Sequence, residues 1–87
     1  MTNRRTGTVA AINPARGMVA IATEDDGLTI IELLSNWNIE LGDCIVWANG
    51  YGLGSEVYEN LTKGTREEVY VQNHAVSSDS LHQQLLL

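Results

Sequence analysis

The stretch TGTVAAINPARGMVAI, Thr6–Ile21, reads as two strands joined by a tight turn. Thr6 to Asn13 is rich in β-branched and small residues and stops at Pro14, whose ring fixes φ. In Pro14-Ala15-Arg16-Gly17 the glycine is the residue free to enter the left-handed region, so the chain can reverse there. Beyond the turn, Val19 and Ile21 alternate with Met18, Ala20 and Ala22, the period of a strand with one face toward a core. A first hairpin follows, and the rest of the chain is read outward from it.

Glu24-Asp25-Asp26-Gly27 supplies the next turn before a third strand, Leu28–Leu34, giving a three-stranded antiparallel meander. After a polar break at Ser35–Asn38, a turn at Gly42-Asp43 feeds a fourth strand, Cys44–Ala48. Val69 and Val71 alternate with Tyr70 and Gln72 in a fifth, Glu67–Ala75. Five short strands, near residues 5–13, 17–23, 28–34, 43–49 and 67–75, with no long helical period, predict an all-β protein closed into a small barrel. Gly50, Gly52 and Gly54 predict a mobile loop. Residues 55–62 fit either one Ser-capped helical turn or an outer hairpin arm closed at Lys63-Gly64. The barrel is assigned to residues 1–76 and a separate tail to 77–87. In SSDSLHQQLLL, Ser77–Asp79 can cap a short helix whose Leu81 and Leu85 share a face, continued by Leu86 and Leu87. Such a helix is marginal alone, so it packs on the barrel, docks on a partner or frays.

Eighty-seven residues make one domain, able to bury only about 60 to 65% of the surface of the unfolded chain. With no Phe, and only Trp37, Trp47, Tyr51, Tyr58 and Tyr70 as aromatics, an aliphatic core is expected. The net charge of −6 gives a field that repels phosphate. Cys44 is the only cysteine, which excludes an internal disulfide, and it reads as a small buried hydrophobe. No apolar run approaches the roughly 18 residues of a membrane span, so a cytoplasmic protein without membrane contact is expected.

Signals for chemistry are sparse. Gly50-Tyr51-Gly52-Leu53-Gly54 lacks the Lys-Ser/Thr ending of a phosphate loop. His74 and His82 have no companions at metal-ligand spacing, and Glu24, Asp25 and Asp26 read as a solvated turn. The serines near either histidine lie mostly in the tail, with nothing to hold a triad. No catalytic residue, metal site or cofactor is expected.

The residues Thr6-Gly7-Thr8-Val9, Asn13, Arg16-Gly17, Ile21, the Asp25-Asp26-Gly27 turn and the later Glu40-Leu41-Gly42-Asp43-Cys44-Ile45-Val46-Trp47 run together resemble the cold-shock domain over residues 6 to 76. The resemblance implies a five-stranded OB-fold barrel that binds single-stranded RNA or DNA. An SH3-like barrel is the alternative fold. In the family, the first strand carries Lys-Trp-Phe and the second Lys-Gly-Phe-Gly-Phe, whose aromatics stack bases. Here Ala10, Ala11 and Ile12 stand in the first strand, and Arg16, Gly17, Met18, Val19 and Ala20 in the second. Stacking contributes about 1 to 3 kcal/mol per base, so its loss leaves nucleic-acid affinity weak or absent.

Placing Ile30 and Glu32 outward avoids burying an unpaired carboxylate, and a one-residue slip would invert that face. Met18, Ala20 and Ile30 then form an exposed apolar strip beside Arg16 and Glu32, a surface suited to a protein partner or a second copy. Leu81, Leu85, Leu86 and Leu87 are expected to add to association, as in a homodimer. The expected function is a non-enzymatic binding module. Its alternative is a weak single-strand binder using Arg16, Trp47, Tyr51 and Tyr70.

Overall fold

A computed structural model describes residues 4–23, 27–48 and 52–85, with only the backbone of His82. The acidic turn Glu24–Asp26, the loop residues through Tyr51, and Leu86 and Leu87 lie outside the described residues. Six strands are formed: β1 (Arg5–Asn13), β2 (Met18–Thr23), β3 (Leu28–Leu33), β4 (Cys44–Trp47), β5 (Gly54–Asn60) and β6 (Thr65–Val76). They close into a barrel in the order β1-β2-β3-β6-β5-β4, with every neighbouring pair antiparallel. The protein is all-β, and the closed barrel is compatible with a small OB-like one. The strand count is six rather than five because the segment left open at 55–62 is the strand β5, turning into β6 through Gly64.

The first hairpin takes the form that Pro14 and Gly17 dictate. Arg16 N–H donates to Asn13 O at 3.2 Å, and Gly17 adopts φ 64°. Its register pairs Val9 with Ile21 and Ile12 with Val19, with a bulge between Val9 and Ala11. The extra residue keeps Val9 and Ile12 both on the inner face, although their separation of three would otherwise put them on opposite faces. Gly7 leaves no room for a side chain against β2. A Cβ there would stand 2.6 Å from Ile21 Cγ2 and 2.7 Å from Ala22 O.

The barrel interior is filled by Val9, Val19, Ile21, Ile31, Ile45, Val69 and Val71, but also by Trp37, Trp47 and Tyr58. The expectation of an aliphatic core is corrected by these rings. Trp47 and Tyr58 are cross-strand partners on β4 and β5 and stack in parallel with centroids 4.5 Å apart. Bulk that Phe would supply elsewhere comes from these two rings, and from Trp37, whose indole N–H donates to Thr65 Oγ1 at 2.9 Å. After β6 the chain makes a 3-10 turn, Ser78–Ser80, capped by Ser77 Oγ accepting from Asp79 N–H, and one turn of helix α1, Leu81–Gln84. Among the described residues no helix is long and apolar enough to cross a membrane.

Candidate functional site

The alternation in β2 and β3 sends two sets of side chains to opposite faces. Val19, Ile21 and Ile31 enter the barrel, while Met18, Ala20 and Ile30 point out of it. Cross-strand pairing arranges the outer set in rows: Ala11, Ala20 and Ile30 across β1, β2 and β3, then Ala22 and Leu28 with Val76 of β6. The alanines make a shallow floor between larger aliphatic walls. This outer face is not exposed. Ala20 and Ile30 have no accessible surface and Met18 retains 6%, because α1 and the residue after it fold back over them. Leu85 is itself fully buried against this floor, with Leu81 partly buried beside it.

The strip expected to be exposed is therefore corrected to a covered seat. Its lining was legible in part, and of the three fates expected for the tail the structure shows packing on the barrel. Leu81 and Leu85, expected on an association surface, are held within the same chain, while Leu86 and Leu87 lie outside the described residues. One polar contact fixes the register of the tail. Asn13, buried at the end of β1, donates from Nδ2 to Leu85 O at 2.7 Å. A buried amide donor is costly to leave unpaired, so the contact also satisfies Asn13. Leu28, Val76, Ala11 and Ala22, which complete the seat, were not singled out as site residues by sequence reasoning. The recurrence of alanine at positions 11, 20 and 22 of one hairpin face, in a chain with leucines to seat, is the signal that points to them.

Arg16 and Glu32 border the seat. Arg16 is exposed in the β1–β2 turn, and Glu32 is half-buried, accepting from Gln72 Nε2 at 3.0 Å. On the other side of Arg16, an open cleft of about 480 Å³ is lined by Ile12, Pro14, Leu33, Leu34 and Trp37 among others. The residues of the alternative nucleic-acid surface are not brought together. Trp47 is 2% exposed inside the barrel, Tyr51 lies outside the described residues, and only Tyr70, 45% exposed on β6, presents a ring to solvent.

Elsewhere, polar side chains do structural work. His74 Nε2 stands 3.0 Å from Gly52 O and Nδ1 2.9 Å from the hydroxyl of buried Thr29. A carbonyl only accepts, so Nε2 donates to Gly52 O, and in the neutral ring Nδ1 is left to accept from the Thr29 hydroxyl. Asp43 accepts from Asn60 Nδ2 at 2.8 Å and from Glu40 N–H at 2.9 Å, with Lys63 Nζ at 3.4 Å. The Asn60 bond is the main influence holding the Asp43 carboxyl below its ordinary range; the Glu40 and Lys63 contacts add to it and burial opposes it. Lys63 is pushed up, first by its bond to Glu40 and then by Asp43, against a desolvation that lowers it. Burial raises the Tyr58 phenol well above its ordinary value, reinforced by Glu56 and opposed by Arg5. Cys44 is a half-buried free thiol whose Sγ lies 3.6 Å from Thr6 Oγ1. Among the described residues no group of three His, Cys, Asp or Glu side chains is placed to hold a metal ion. Comparison with family profiles, with curated proteins and with solved structures finds no match to this chain.

Proposed function

We propose that this protein is a non-catalytic barrel module, cold-shock-like in ancestry, that works in the cytoplasm through protein contacts, its own copy included, rather than by capturing nucleic acid. The observation that carries this reading is the seated tail. The hairpin face on which cold-shock proteins stack bases here has an alanine floor, and leucines of the same chain cover it. A base approaching the hairpin meets no aromatic ring on β1 or β2, where it must first displace Leu85; the exposed ring of this face is Tyr70 on β6, beside Glu32. The net charge of −6 adds a long-range repulsion, so few phosphates are neutralised and counterion release contributes little. Face and field both favour a protein partner over a polyanion.

Fluorescence anisotropy with a short pyrimidine-rich RNA or DNA near 50 mM salt tests this directly. The expected dissociation constant is weaker than about 100 μM, given the loss of stacking at three positions. Low-micromolar binding that weakens steeply with salt would overturn the reading in favour of the weak single-strand binder, with Arg16 and Tyr70 as its exposed contacts.

A further inference from the structure

The tail does not fill its surroundings. Beside it lies a cleft of about 330 Å³, bounded on the barrel by Arg16, Met18, Glu32 and Gln72 and on the tail by Gln83 and Gln84. Glu32 is engaged by Gln72, Arg4 pairs with Glu59, and Lys63 pairs with Glu40 and Asp43. Arg16 thus shares with Glu32 a cleft to which the described residues of the tail bring the amides of Gln83 and Gln84.

The grip on the tail is also generic. The floor asks for branched aliphatic side chains at positions i and i+4, as Leu81 and Leu85 are. Asn13 reads a backbone carbonyl, which every residue carries. One turn of helix has little stability of its own, so packing on the seat holds the tail in shape. The chain approaches the tail through Ala75 at φ 55°, a left-handed conformation disfavoured for a residue with a Cβ.

We propose that the seat formed by Ala11, Met18, Ala20 and Ile30 with Asn13 is a docking groove for a partner's short amphipathic segment bearing leucines at i and i+4 and a carboxylate for Arg16, with the chain's own tail as a tethered competitor. This rests on the protein-contact reading above and names the partner class and its regulation. A short tether holds the tail over the seat at an effective concentration on the order of millimolar. A free segment without an added contact therefore competes poorly. A carboxylate meeting Arg16 supplies that contact through a charge-assisted hydrogen bond. The tail sets the threshold a partner must exceed.

The test is anisotropy of a labelled peptide of residues 77–87 carrying Gln84→Glu, titrated into the wild-type chain and into full-length chain carrying Leu85→Asp, which places a carboxylate where the seat is apolar and so frees the tail. Binding to the Leu85→Asp chain is expected to be at least tenfold tighter than to wild type. The peptide with native Gln84 should bind the Leu85→Asp chain several-fold more weakly, and Arg16→Gln in that chain should erase the difference. Equal binding to both chains, or a Glu preference that survives Arg16→Gln, overturns the proposal. If near-UV circular dichroism shows that Leu85→Asp has lost its tertiary packing, the same peptide is added at up to millimolar concentration to the wild-type chain. Shifts of the Ala11, Ala20 and Ile30 amide resonances then support the groove, and their absence overturns it. Failure here alongside weak nucleic-acid binding leaves the broader protein-contact reading standing; that reading falls on the RNA and DNA titration.

Discussion

At the scale of single residues, Asp43 is the polar group on which the β4–β5 side of the barrel turns. It is 5% exposed and accepts from Asn60, which is itself fully buried. Because its folded carboxyl titrates below the ordinary aspartate value of about 3.9, the stability it contributes is complete above that value and is lost as pH falls through the lower folded value. Asp43→Asn is therefore expected to unfold more easily at neutral pH but to lose less further stability between about pH 5 and pH 2, measured by urea midpoints across that range. A parallel acid limb in variant and wild type would assign the acid sensitivity to other carboxylates. Tyr58 presents the converse case. Its ring stacks on Trp47, yet its hydroxyl is buried with no hydrogen-bond partner among the described residues. Tyr58→Phe keeps the stack and removes an unpaired polar group, so stability should be unchanged or raised by up to about 2 kcal/mol. A loss beyond about 1 kcal/mol would mean that the hydroxyl is bonded after all.

At the scale of elements, packing limits rather than charge decide what the strands tolerate. Gly7→Ala forces a Cβ against the backbone of β2, an overpacking expected to cost about 1 to 3 kcal/mol in chemical denaturation. Leu85→Ala acts differently, because the tail can lift away instead of holding a cavity. Its cost should sit near about 2 kcal/mol, the low end for such truncations, with faster hydrogen exchange at Ala20 and Ile30 while the interior around Trp47 stays protected. Five of the six strands were legible because their inward residues are aliphatic: Val9, Val19 and Ile21, Ile31, Ile45, Val69 and Val71. In β5 the pattern is inverted. Tyr58 and Asn60 are buried while Val57 is 47% exposed, so no hydrophobic alternation announces a strand. The covered seat was half legible for a related reason. Period-2 reasoning separates the outer set from the inner one, but nothing local in Met18, Ala20 or Ile30 records that leucines more than fifty positions away will lie on them.

At the scale of the whole molecule, covering the seat changes what removal of the tail does. A strip left bare and aided by free leucines would associate less once the leucines were cut away. A strip covered by those leucines is uncovered by the same cut. A chain ending at Ser78 is therefore expected to self-associate more strongly than the intact protein, read as a rise in mean mass with concentration by light scattering. Unchanged monomeric mass in the shortened chain would show that the exposed floor is too shallow to bind its like. The charge of −6 works against association at low ionic strength, so the rise should steepen with added salt.

The order of the elements along the chain also sets a schedule. The segment Ser77–Leu85 follows the last strand, so every residue of the seat is synthesised before its cover. At about 5 to 20 residues per second, adding that segment takes on the order of a second. The apolar floor cannot be covered from within until the segment has emerged.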